Sequence, residues 1–123
     1  EVGDVHSIIC ADVGGTNARF LHLRRNIVSS VMVSQDQLEN IKTEQYSAKD
    51  AESLLYLAKQ FIDGIDKVDY LVIAIAGVVH DHARVRITNI KHWPEVVADE
   101  FKQTLQIPNV MILNDFEANG YGV

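Results

Sequence analysis

Apolar positions come in short clusters along the chain, and their spacing changes from one cluster to the next. Residues 7–13 form a nearly continuous apolar run that stops at Gly14-Gly15, which predicts a buried strand ended by a tight turn. Residues 18–23 and 27–33 repeat this pattern after gaps of only a few residues. Parallel neighbours need a crossover of about a dozen residues, so three strands this close in sequence predict an antiparallel meander. Residues 34–46 are polar and show no clear period, which reads as a surface connection. From Ser47 the spacing becomes helical: Leu54, Leu55, Ala58, Phe61 and Ile62 recur at three and four residues. Ser47 and Asp50 have capping-box spacing, and Gly64 closes the pattern, so a helix from Ser47 to Gly64 is expected.

Residues 68–76 are β-branched and almost wholly apolar, as expected of a central strand covered on both faces. Residues 78–89 place a polar His-Asp-His tip between two apolar arms, an irregular hairpin. Pro94 then suits the first turn of a second helix, with Glu95, Asp99 and Glu100 near the positive end of its dipole and Val97, Phe101 and Leu105 facing the core. Pro108 stops that helix, residues 109–113 form a last strand, and Asn114-Asp115 opens a further helix. Three antiparallel strands followed by alternating helices and strands predict an α/β fold of the ribonuclease-H-like (actin-like) type. Its mixed sheet has five strands, the parallel part joined by right-handed crossovers that place helices on the faces.

Charge narrows the partners. The formal charge is −6, from 11 Lys and Arg against 17 Asp and Glu, so no basic field exists to hold nucleic acid or an anionic membrane surface. No run approaches the ~20 apolar residues of a membrane span, and the single cysteine, Cys10, has no partner for an intrachain disulfide. A soluble cytoplasmic protein is the expectation. The chain opens without methionine and ends at Val123 in a segment with no terminating charge cluster, which suggests part of a longer protein.

Two turns carry candidate chemistry. At Ala11-Asp12-Val13-Gly14-Gly15-Thr16 a strand-end carboxylate, Asp12, can hold Mg²⁺ through water, bare glycines let backbone N–H groups approach phosphate oxygens, and Thr16 adds a hydroxyl donor. A plain hairpin turn accounts for the same letters. Asn114-Asp115 stands at the carboxyl end of a strand, where α/β folds bind ligands, but also where an ordinary helix N-cap belongs. Gly77 either breaks a strand or lets a ligand rest on bare backbone, and Thr88-Asn89 with Trp93 reads as a hairpin end on a buried indole. His80 and His82 lack the further ligands of a zinc site and suit a solvated tip. His6, His22 and His92 are isolated, and Arg19 suits a structural ion pair.

In order, the segments Ala-Asp-Val-Gly-Gly-Thr-Asn-Ala-Arg, Ile-Ala-Ile-Ala-Gly, Thr-Asn-Ile-Lys-His-Trp and Leu-Asn-Asp-Phe-Glu-Ala resemble the bacterial-type glucokinase family of the actin-like sugar kinases, over nearly the whole chain. The resemblance implies ATP-dependent phosphorylation of glucose at its 6-hydroxyl, with ATP and Mg²⁺ as cofactors, as the first step of glycolysis. Residues 1–123 would be the N-terminal lobe of a two-lobed enzyme, and a homodimer is compatible. Ala11, Asp12, Val13, Gly14, Gly15 and Thr16 would match the family's phosphate loop. Asn114 would bond sugar hydroxyls, Asp115 would be the acceptor-activating carboxylate, and Thr88, Asn89 and Gly77 would lie beside the sugar. Residues 78–85 depart from the family's usual proline- and glycine-containing turn, and the tail from Ala118 is richer in glycine than usual. A kinase of another hexose, or a non-catalytic sugar sensor of the same fold, is the alternative. The decisive expectation is spatial: the glycine turn and the carboxylate after the last strand must share one edge of one sheet.

Overall fold

The computed structural model describes residues 2–14, 16–29, 34–65, 67–75, 79–80, 84–85 and 92–114. Its centre is a five-stranded sheet. β1 (Val2–Val13) pairs antiparallel with β2 (Asn17–Ser29), which pairs antiparallel with β3 (Ser34–Ser47). On its other side β1 pairs in parallel with β4 (Tyr70–Ile75). A small three-stranded sheet follows, made of β5 (Val79–His80), β6 (Arg84–Val85) and β7 (Val96–Val97). β8 (Asn109–Asn114) completes the large sheet in parallel with β4, giving the order β3-β2-β1-β4-β8. This is the mixed sheet expected, with its antiparallel meander and parallel extension.

Side-chain alternation gives the sheet two unlike faces. Ile9, Ala11 and Val13 of β1, Ala18 and Phe20 of β2, and Leu71, Ile73 and Ile75 of β4 are buried on one face. Helix α1 (Leu54–Ile62) adds Leu54, Leu57, Ala58 and Phe61 to the same cluster. The Phe20 and Phe61 rings stack at 5.3 Å, and Tyr46 meets Phe20 edge-on at 5.8 Å. Each such buried side chain contributes about 1.5–3 kcal/mol by leaving water. Helix α2 (Ala98–Leu105) joins through Ala98 and Phe101. The opposite face carries Ile8, Cys10 and Asp12 of β1 beside Tyr70 and Met111, whose side chains are substantially exposed. Burial pushes the Cys10 thiol pKa up, which keeps the group protonated and inert.

Five sequence expectations shift. Residues 34–46 are an edge strand, not a connection, and residues 18–29 form one continuous strand where two were expected. Helix α1 starts at Leu54, capped by Ser53, whose Oγ accepts the Tyr56 N–H at 3.1 Å. Ser47 belongs to β3, because its backbone is engaged in the ladder opposite Asn17. Pro94 precedes β7 and lies outside α2, which begins at Ala98 with Asp99 and Glu100 in its first turn. Phe101 is buried and Leu105, half-buried, packs against the core as expected, joined by Ala98, whereas Val97 is only half-buried and is not part of that contact. α2 ends before Pro108, with Gln106 in the left-handed conformation at φ 57°. Residues 81–83 at the hairpin tip, including His82, and the helix expected from Asp115 lie outside the described residues.

Candidate active site at the carboxyl edge of the sheet

The strand register decides the geometry. Val13, the last residue of β1, pairs with Ile75, the last of β4, and Ile75 pairs with Asn114, the last of β8. All three parallel strands therefore end in one row. Val13 and Asn114 stand at the same edge, two strand spacings apart, or about 9–10 Å. Asn17, opening β2, and Ser47, closing β3, pair at that edge as well.

Local hydrogen bonds shape the turn. The Gly14 N–H donates to the Asn17 carbonyl at 2.8 Å, which closes the turn between β1 and β2. The Thr16 carbonyl accepts the Ala48 N–H at 2.9 Å, which ties the loop to the chain leaving β3. Thr16 is exposed, and its hydroxyl meets no partner among the described residues. At Gly14 a Cβ would meet only the Asn17 carbonyl oxygen, at an ordinary 3.6 Å. Among the described residues, nothing packed around Gly14 requires glycine. The Gly14 amide is engaged in closing the hairpin.

Asp12 and Arg19 face each other across the β1–β2 ladder on the open face, and both are exposed. The ion pair expected of Arg19 is not formed: among the described residues neither side chain has a salt-bridge partner. Sequence reasoning set Arg19 aside. The signal that could have recovered it was strand alternation, which puts it on the same face as Asp12. Asp12 is a lone carboxylate, and no cluster of three or more metal-ligating side chains occurs among the described residues. That suits Mg²⁺, which is commonly held by one or two carboxylates together with water and substrate phosphates, and it does not suit a closed structural metal site.

A second tether brings the segment before α2 to this edge. The Trp93 indole N–H donates to the Ala51 carbonyl at 2.9 Å, and His92 Nε2 bonds the same oxygen at 2.7 Å. Trp93 is buried, as its place in the sequence led one to expect. Asn114 is half-buried and hydrogen-bonded or otherwise engaged. Of the sequence candidates, Ala11, Asp12, Val13, Gly14, Thr16 and Asn114 thus gather at one edge. Gly15, Gly77, Thr88, Asn89 and Asp115 lie outside the described residues.

The chain is similar to known proteins in sequence and in fold. A glucokinase from Trichormus variabilis is 29% identical over 120 residues, covering 94% of this chain and 32% of the relative. A glucokinase from Agrobacterium fabrum is 30% identical over 117 residues, covering 31% of that protein. The chain thus spans about a third of the length of the curated relatives it matches. The crystal structure of a glucokinase from an Antarctic psychrotroph superposes with a TM-score of 0.63 at 26% identity, over 89% of this chain and 32% of that one. A putative N-acetylmannosamine kinase from Listeria monocytogenes shares the fold with a TM-score of 0.61 at 17% identity, over 89% of this chain and 35% of that one. The glucokinase family model matches residues 9–123, and the chain belongs to the glucokinase family.

Proposed function

We propose that this chain is the phosphate-binding lobe of a two-lobed glucokinase that transfers the γ-phosphoryl group of ATP to the 6-hydroxyl of glucose. The observation that carries the reading is the shared row Val13, Ile75 and Asn114; in sequence the glycine pair follows the first of these and Asp115 the last. Membership of the glucokinase family supports the substrate pair. A glycolytic, cytoplasmic enzyme, with a homodimer as one assembly, follows from the same reading.

The chemistry asks little of a strong base. Phosphoryl transfer passes largely through a loose transition state, so aligning the attacking hydroxyl and spreading phosphate charge matter most. The bare backbone at Gly14-Gly15 lets phosphate oxygens approach, and the Thr16 hydroxyl is free to donate to them. Arg19, exposed and without a carboxylate partner among the described residues, adds a cation on the Asp12 side of the turn. Mg²⁺, held through water by Asp12, would supply charge neutralisation on the phosphates. Asn114 would orient sugar hydroxyls, with Gly77, Thr88 and Asn89 beside them. Asp115 would accept a hydrogen bond from the 6-hydroxyl and take its proton as the new P–O bond forms, a contribution typically worth ~10²–10⁴ in rate.

The test is Asp115→Asn in the full-length protein. Glucose binding by calorimetry is expected to hold while turnover falls by about 10²–10⁴. Turnover near wild type would refute the assignment.

A further inference from the structure

At the other end of the sheet, beneath the carboxyl end of α1, lies a cavity of about 540 Å³. Its lining includes Ser7, His22, Arg24, Lys42, Asp63 and Lys67. Ser7 is six residues from Val13 on the same strand, so the cavity stands about 20 Å from the glycine turn. It takes no part in the proposed transfer.

Its charge runs against that of the chain. The protein carries −6 overall, yet three cations and one carboxylate line this cavity. Lys42 is the half-buried member. Its Nζ donates to the neutral Phe61 carbonyl at 3.1 Å and sits 4.8 Å from the centre of the Phe61 ring, so neither contact cancels its charge. Arg24 reaches Glu39 only at 3.9 Å, with both side chains about half exposed, a pairing of little strength. Lys67 lies 3.3 Å from Asp69. Asp63 is the carboxylate on the rim, and Asp66 lies outside the described residues. The field is felt locally: burial first, then the Arg24 and Lys42 charges, hold the pKa of His22 below its ordinary range, and its Nε2 shares a 2.8 Å hydrogen bond with Ser7 Oγ.

We propose that this cavity binds a small-molecule polyanion, bearing phosphate or several carboxylates, between Arg24, Lys42 and Lys67. Its volume suits a ligand the size of a phosphorylated sugar or a tricarboxylate. Lys42 supplies an uncancelled charge at its wall, and Arg24 and Lys67 exchange weak surface pairs for the ligand. Such a ligand would be remote from the transferred phosphoryl group, so the site is regulatory or stabilising rather than catalytic.

The experiment is an NMR titration of the histidine imidazoles in the full-length protein with pyrophosphate and, separately, citrate, at constant ionic strength held with chloride. The His22 resonance is expected to shift saturably with at least one of the two, and its pKa is expected to rise as the anion offsets the neighbouring cations. Pyrophosphate alone would identify a phosphoryl ligand, and citrate alone a carboxylate one. In the Arg24→Gln/Lys67→Gln double variant, at side chains 49% and 78% exposed, binding should weaken about tenfold with the fold intact. Perturbation of the Thr16 amide by pyrophosphate should persist there, which separates this cavity from the glycine turn. A His22 response that does not saturate with either anion, or is unchanged in the double variant, overturns the proposal.

Discussion

The two ends of the sheet treat polar groups in opposite ways. At the amino end, around Ser7, polar groups are engaged by one another. The Asp69 N–H donates to the Ser7 carbonyl at 2.8 Å, and the Ser7 N–H donates to the Asp69 carboxylate at the same distance. This reciprocal pair extends the β1–β4 ladder by one side chain. At the carboxyl end the Thr16 hydroxyl, Asp12 and Arg19 have no side-chain partners among the described residues. Unsatisfied polar groups at an exposed edge cost the fold little, because water serves them, and they leave donors and charges for a ligand. The carboxyl edge therefore has the composition of a reaction site, and the ladder at the amino end that of a structural seam.

Mutations can break this contrast. The largest effect is expected from Asp115→Asn, where turnover falls by about 10²–10⁴ with little change in thermal stability; equal losses in both would place Asp115 in the fold instead. Next, Phe61→Ala removes a fully buried ring stacked on Phe20 and should cost about 3–5 kcal/mol in denaturant unfolding. A loss below 1 kcal/mol would mean that α1 is not essential to the core.

Gly14→Ala sharpens the contrast from the other side. A Cβ has room there, so stability should stay level or rise by up to about 1 kcal/mol, while nucleotide affinity drops about tenfold as the methyl blocks phosphate approach. Stability and affinity measured on one sample would decide it, since a strained turn lowers both.

The smallest effect belongs to the seam. The Ser7 N–H bond chiefly, with help from Lys67, holds the Asp69 carboxyl below its ordinary range. A depressed acid stabilises the fold above its unfolded pKa, and the contribution disappears as pH falls through the folded value. Asp69→Ala should therefore cost about 1 kcal/mol near neutral pH and almost nothing in strong acid. Urea melts at the two pH values would show it, and a loss independent of pH would argue against an ionised Asp69.

Much of this was legible in the letters because burial and periodicity coincided. The α1 stripe through Leu54, Ala58 and Phe61 faces the core. The runs at 7–13 and 68–76 are covered on one face only, where Ile9, Ala11, Val13, Leu71, Ile73 and Ile75 are buried. Asp12 and Tyr70 on the other face are exposed, so β4 is not covered on both sides as its composition led one to expect. β3 was hidden because an edge strand exposes so much of itself. Glu39, Asn40, Thr43, Glu44 and Gln45 all face water, and no apolar alternation survives to mark the pleat. The start of α1 was misplaced because Ser47 and Ser53 are both plausible caps, and only the pairing of Ser47 with Asn17 removes the first. The turn proposed to hold phosphate was readable from its glycines. Arg19's freedom was not, since whether a cation finds a carboxylate depends on side-chain geometry rather than on strand register.

The same polar surface on β3 bears on how copies of the protein behave toward one another. β3 is 14 residues long and forms an outer border of the large sheet, so its outward N–H and C=O groups offer a template to any extended chain. Glu39, Lys42 and Glu44 place charged side chains along that border, one of the devices by which edge strands are kept from pairing with other chains. A barrier to edge-to-edge pairing is thereby carried by the strand whose sequence least resembles one.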